Sequence, residues 1–344
     1  MSSEPTVPAQ VTATGLGEWP GTDPVEAEKA IRGELGGPHL PFLAELPERG
    51  VGSDAVGRTA SLLVDLYADV QPHGWRLVER PGRDSARAAS ALATDLNVLA
   101  DVVGTEESRA EGLQVRILGP LSLMAGLYLH NGERVLADQG ARRDVADSLV
   151  AGVAPFLARV RAAVPGARLT VQLAEPDAAQ VIAGLLPTAS GYRTLRAVPP
   201  AEARAAWSGL VDALHDGGAE HVIVQTPAWE APIERILEAG ADGVALPAES
   251  LSVGQWESVA GAVEGGARVW LGILPLDPPQ AATTHDIAER LLRPWRQLGL
   301  AERSLGAVRV TPSDSLRLVS PERATAALTR LVKLADAVNQ LAFG

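Results

Sequence analysis

The side chains with chemical potential in this sequence are mostly carboxylates. Glu18, Glu45, Asp54, Glu175 and Asp314 each fall just beyond an apolar stretch, and convergence of such acids would hold magnesium, manganese or a cationic ligand. The competing reading is that they cap helices, pair with Arg49, Arg58 or Arg116, or face water. Trp19 and Trp229 follow apolar stretches in the same way and could wall a pocket against a flat ring, or simply pack. Thiol chemistry is excluded outright, because the chain has 0 cysteines. No thiolate can bind zinc or attack a substrate, and no disulfide can form.

Other chemistries lack their residues as well. The 6 histidines, His39, His73, His130, His215, His221 and His285, include no pair at metal-ligand spacing. His215 and His221 precede a predicted strand, on the side away from the expected site, which favours a structural or solvated role. Ser122, Ser313 and Ser315 have no histidine predicted beside them to act as base. Lys29 and Lys333 are the only lysines, and neither is placed in a pocket that would desolvate an amine for Schiff-base chemistry. The run from Gly15 to Gly21, Gly-Leu-Gly-Glu-Trp-Pro-Gly, departs from a dinucleotide-binding turn in spacing, and Pro20 interrupts the helix start that would receive a pyrophosphate.

These residues need a scaffold that brings distant loops together. Eight short apolar segments read as strands: residues 11–15, 40–46, 113–118, 168–174, 221–225, 243–246, 268–274 and 307–311. Alanine-rich segments with helical spacing separate them. Over 144–164, Val145, Leu149, Val153, Phe156 and Val160 share one helical face. Ser320-Pro321 is a helix start, followed by a stripe of Leu328, Leu331, Val332, Leu334 and Val338. Strands alternating with helices predict an α/β fold, specifically a (β/α)8 TIM barrel. Residues 48–97 exceed an ordinary crossover and are expected to form an insertion after the second strand, with a hairpin near 73–80 between helices. The expected organisation is a flexible tail over 1–9 and one barrel over 10–344. Active-site residues of a barrel lie just past the carboxyl ends of its strands, which is where Glu18, Trp19, Glu45, Glu175, Gln225, Trp229 and Asp314 fall.

Composition limits the partners. With 344 residues, 46% hydrophobic, the chain can bury a large core. Its net charge of −12 would repel nucleic-acid phosphates and anionic lipid. The first ten residues resemble no secretory signal and no stretch is apolar enough to span a bilayer, so a cytoplasmic location is expected. A small molecule remains the favoured partner, and oligomeric state is open.

Several segments, in order along nearly the whole chain, resemble the cobalamin-independent methionine synthase family, in particular short actinobacterial relatives of its catalytic barrel. They are Gly15–Gly21, the Pro-Glu-Arg-Gly-Val-Gly-Ser-Asp-Ala-Val-Gly-Arg run at 47–58, Leu-Gly-Pro-Leu-Ser-Leu at 118–123 and Val-Gln-Leu-Ala-Glu-Pro at 171–176. Ala-Asp-Gly-Val-Ala-Leu at 241–246, Trp-Leu-Gly-Ile-Leu-Pro at 270–275 and Val-Thr-Pro-Ser-Asp-Ser-Leu at 310–316 complete the set. The resemblance implies a barrel shared with uroporphyrinogen decarboxylase, and a methyltransferase in which zinc lowers the pKa of the homocysteine thiol for attack on methyltetrahydrofolate.

The family's metal ligands align with Gln225, Pro227, Pro247 and Asp314, none a cysteine or histidine, so zinc is not expected here. Glu18 replaces a serine and Ala174 an aspartate of the family's amino-acid pocket, while Glu175 and Pro176 are kept and Glu45 is a further match. The expected pocket is therefore Glu18, Trp19, Glu45, Gln172, Glu175, Gln225, Trp229 and Asp314, with no cofactor beyond a possible folate. The resulting expectation is a divergent ligand-binding or non-catalytic relative of the methyltransferase. The alternatives are a metal-independent enzyme using a repurposed acidic pocket, and methyl transfer retained by another mechanism.

Overall fold

The computed structural model describes residues 10–107, 110–229, 231–277 and 283–343; the expected tail over 1–9 lies outside them. Valine- and leucine-rich runs form the strands β1 (Thr12–Ala13), β4 (Gly112–Leu118), β6 (Arg168–Ala174), β7 (Ala219–Gln225), β8 (Gly243–Pro247), β9 (Arg268–Leu274) and β10 (Val308–Pro312). All seven are parallel, in the order β1-β10-β9-β8-β7-β6-β4. The helices between them are α1 (Pro24–Glu34), α2 (Ala55–Ala60), α3 (Arg83–Gly104), α4 (Pro120–Gly126), α5 (Gln139–Ala163) and α6 (Ala178–Ala183). They continue as α7 (Pro200–Asp216), α8 (Ile233–Glu238), α9 (Val253–Glu264), α10 (Thr284–Gln297) and α11 (Pro321–Phe343). None is long and apolar enough to cross a membrane, among the described residues.

The sheet curls until its edges meet a common segment. Residues 40–46, expected as a full strand, run between the two edges and pair through isolated parallel bridges, Thr14 to Leu40, Glu18 to Glu45 and Phe42 to Gln114. The reason is local. Pro41 has no N–H to donate, and the Ala44 N–H is diverted 2.8 Å to the Glu28 carboxylate of α1. Toward β4 a pair of backbone bonds forms, Gln114 N to Pro41 O and Leu43 N to Gln114 O, both 2.9 Å. On the other side Leu40 N donates to Ala13 O at 3.0 Å, Glu45 N to Gly17 O at 2.9 Å and Trp19 N to Glu45 O at 2.8 Å.

Register partners on neighbouring parallel strands point to the same face. Leu40, Ile223, Ala245 and Trp270 thereby form a cluster inside the curl, separate from the main core between sheet and helices. That outer core uses the periodic faces expected of α5 and α11. Val145, Leu149, Val153, Phe156 and Val160 are buried, as are Leu328, Leu331, Leu334 and Val338, whereas Val332 is half-buried.

The insertion contains a hairpin that begins earlier than the expected 73–80. Strands β2 (Tyr67–Gln71) and β3 (Gly74–Val78) pair antiparallel with Gln71 opposite Gly74, so Pro72 and His73 make the two-residue turn. Gly74, at φ 129°, supplies the backbone conformation that closes it. A short strand β5 (Leu127–Tyr128) adds to β3, and the His73 ring meets Tyr128 edge-on at 4.8 Å between centroids.

Candidate functional site

Three glutamines from neighbouring strands organise the inside of the curl. Gln114, Gln172 and Gln225 sit in β4, β6 and β7, and their amides hydrogen-bond in series. Gln114 Nε2 donates to Gln172 Oε1, and Gln172 Nε2 donates to Gln225 Oε1. At the far end the Thr14 hydroxyl lies 2.7 Å from Gln114 Oε1 and 2.7 Å from the Leu40 carbonyl. Each amide is oriented by its neighbour. With its oxygen engaged, Gln225 offers its N–H group to the space above.

That space is a cavity of about 160 Å³ at the carboxyl ends of the strands. Its lining includes Leu16, Arg116, Gln225, Pro227, Pro247 and Thr311. It adjoins a wider recess of about 650 Å³, which shares Pro227 and Pro247 and adds Trp229. The cavity alone is smaller than the roughly 300–1,000 Å³ of drug-sized sites, so it suits a small polar group.

A train of alternating charges leads away from the cavity. Arg116 pairs with Glu45, Glu45 lies 3.6 Å from Arg58, and Arg58 pairs with Asp95. Asp95 also receives a two-pronged bond from Arg49 at 2.7 and 2.9 Å. Toward solvent, Glu18 accepts from Ser315 at 2.5 Å and pairs with Arg317 at 3.4 Å and Arg116 at 4.0 Å. Gly17 permits the approach: at φ 96° it sits against the Arg116 side chain, where a Cβ would overlap the stem. Asp54 caps α2 through Gly57 N and accepts the Trp75 indole N–H at 3.0 Å.

The eight expected pocket residues divide. Gln225 lines the cavity, Gln172 fixes Gln225 from below, and Trp229 lines the outer recess with half its surface exposed. Glu18 and Glu45 stand behind the lining residue Arg116 and are each held by it, and neither lines the cavity itself. Three lie elsewhere. Trp19 is buried against Phe42, at 6.4 Å between ring centroids, and forms no pocket wall. Asp314 is exposed. Glu175 is fully buried and faces the first turn of α4, accepting from Leu121 N, Ser122 N and Trp207 Nε1 at 3.1, 2.8 and 2.7 Å. Gly119 makes room for it, since a methyl there would overlap the carboxylate. Burial raises the Glu175 pKa to about 7 against the pull of those donors, and burial likewise raises Glu28 to about 7.

The sequence reading missed Thr311 and Leu16 as lining residues, and missed the amide series. The latter had a signal: three glutamines, each beside a valine in a predicted strand. The serines lack a triad partner: Ser122 Oγ accepts from Asp177 N, and Ser313 lines the cavity beside Thr311.

The residues aligned with metal ligands do not suit zinc. Pro227 and Pro247 carry no side-chain donor, the Gln225 oxygen is already bonded to Gln172, and Asp314 is not a lining residue. Among the described residues no three histidines, cysteines or acids are grouped to hold a metal.

Compared by sequence, no family model and no curated protein matches the chain. Solved structures do match. A B12-independent methionine synthase from Shewanella sp. W3-18-1, in complex with selenomethionine, superposes with TM-score 0.64 at 10% identity over 97% of this chain and 99% of that one. A methyltransferase from Methanosarcina mazei gives 0.57 at 10% identity over 95% and 94%. A putative vitamin-B12 independent methionine synthase from Listeria monocytogenes gives 0.51 at 12% identity over 95% and 98%. By these superpositions the chain has, over nearly its full length, the fold of the B12-independent methionine synthases.

Proposed function

We propose that the chain is a divergent member of the cobalamin-independent methionine synthase family that binds a small molecule at the mouth of its barrel without zinc and without methionine synthesis. Segment 40–46 is the eighth stave of that barrel. The observation carrying the reading is the state of Gln225: at a position aligned with a zinc ligand stands an amide whose oxygen is consumed by Gln172 and whose N–H remains for a ligand oxygen. An amide does not activate a thiol, because lowering its pKa takes a nearby positive charge or metal, and the arginine lining the cavity, Arg116, is already neutralised by Glu45. The cavity takes the polar end of the ligand, and the recess by Trp229 has room for its larger, flat part; a folate has that shape.

Acid–base catalysis in a repurposed acidic pocket is not favoured, since Glu18 is tied to Ser315 and arginine, Glu175 faces α4 and Asp314 is exposed. The test is metal analysis of protein purified without chelators, together with an assay of methionine formed from homocysteine and methyltetrahydrofolate. Substoichiometric zinc and no methionine above background are expected. One zinc per chain with methionine formation would overturn the proposal.

A further inference from the structure

The opposite end of the sheet gathers positive charge, part of it without partners. Arg168 and Arg268 open β6 and β9, and Arg309 is the second residue of β10, so the curl gathers three arginines from distant parts of the sequence around its amino-terminal end. Arg309 is in register with Thr12 of β1 and with Trp270 of β9. Since Trp270 faces the interior cluster, Thr12 and Arg309 face inward too. Both have a polar atom out of contact with solvent and without a partner among the described residues, Thr12 Oγ1 and Arg309 Nη1. His221 of β7 lies on the same side; burial, then Arg268 and Arg309, push its pKa down to about 4, so at neutral pH it adds no charge.

The nearby acids are already engaged. Glu111 and Glu220 reach Arg168 at 2.9 and 3.7 Å on the exposed rim. Asp242 accepts from Val222 N at 2.7 Å and pairs with His215 at 3.2 Å. Arg268 and Arg309 are left without an ion pair to any described residue. Burial, with Arg268 and Arg168 adding to it, pushes the Arg309 pKa down to about 10. A guanidinium taken out of water without a counter-charge is strongly disfavoured, and its planar fork matches an oxyanion.

We propose that the base of the sheet holds a small oxyanion between the Arg268 and Arg309 guanidinium groups and the Thr12 hydroxyl. The site stands at the opposite end from the mouth and is independent of the function proposed there. The anion completes the hydrogen bonding of Nη1 and Oγ1 and neutralises the inward-facing charge.

Inorganic phosphate is the probe. Melting of the full chain in phosphate is compared with melting in chloride at matched ionic strength. At phosphate a hundredfold above its Kd, a rise of about 4 °C is expected for a chain of this size. Arg309→Met is expected to lose the response, and Arg268→Gln to weaken phosphate binding about tenfold or more, measured by calorimetric titration. Should Arg309→Met fail to fold, Arg268→Gln carries the test alone. Equal melting temperatures in the two salts would overturn the proposal, as would a phosphate response that either variant retains in full.

Discussion

The two ends of the sheet handle buried charge in opposite ways. At the mouth, Glu18, Arg116, Glu45, Arg58, Asp95 and Arg49 alternate in sign, so each buried charge meets its opposite. At the base, Arg268 and Arg309 meet no acid within ion-pair distance among the described residues; Glu220 and Asp242 act on Arg268 only from farther away, and Arg309 feels Arg268 and Arg168 more than it feels Glu220. The difference teaches where binding energy is available. A compensated network is spent on holding its own members and on tying the insertion to the sheet, while uncompensated charge is free to be satisfied by something else. Arg116, which lines the cavity, is engaged by Glu45, so the neutral group the mouth offers a ligand is the Gln225 amide.

The comparison breaks most visibly at Asp95. Its carboxylate holds both Arg49 and Arg58, so Asp95→Ala strands Arg49 and leaves the almost wholly buried Arg58 only its longer contact with Glu45 at 3.6 Å. A loss of about 3–5 kcal/mol is expected by urea denaturation. A loss below about 1 kcal/mol would mean that the mouth network is not tightly compensated.

A second test uses pH. Glu175 has a folded pKa near 7, raised above its unfolded value, so between pH 4.5 and 7 the folded state holds a proton that the unfolded chain has released. Its contribution to stability is therefore lost as pH rises through that window. The total is on the order of 3 kcal/mol. Glu175→Gln does not titrate, so the stability of the variant relative to the parent should climb by that order between pH 4 and pH 8. A difference that does not change with pH would show that the carboxylate ionises normally. Glu28, with its pKa raised to about 7 and Oε2 unpartnered, titrates in the same direction, so Glu28→Gln should behave alike.

The amide series gives a smaller effect. Gln172→Leu leaves Gln114 Nε2 and Gln225 Oε1 without their partner, which costs about 1–3 kcal/mol and frees Gln225 to rotate. Any ligand found at the mouth should bind the variant more weakly, by calorimetry, than it binds the parent.

The parts of this molecule legible in sequence are those set by local periodicity. Strands Arg168–Ala174 and Arg268–Leu274 fall at the expected residues, and α5 and α11 bury the expected faces, because spacing alone decides which side of an element is apolar. Segment 40–46 was less legible because it pairs through isolated bridges and not as a regular strand, with its Ala44 N–H taken by the distant Glu28. Position after a strand placed Glu18, Gln225 and Trp229 at the mouth, yet it could not say which way a side chain turns. Trp19 turned into the core and Glu175 toward α4. Least legible was the base, where Arg168, Arg268 and Arg309 are separated by up to 141 positions (309 − 168) and meet only because the sheet curls.

The smallest expected effect is the most informative about the two ends. Removing an arginine from a compensated site leaves its partner acids buried with less counter-charge. Removing one from an uncompensated site takes away the cost along with the charge, and a methionine of similar length keeps the packing. Arg58→Met should therefore cost on the order of 3 kcal/mol, because Asp95 and Glu45 each lose one of two cationic partners and keep only Arg49 and Arg116. Arg309→Met, in chloride buffer without phosphate, should fall within about 1 kcal/mol of the parent in either direction. Urea melts of the two variants side by side read the difference directly. Equal losses would mean that Arg309 has a partner as firm as Arg58 has, and the contrast between the ends of the sheet would disappear.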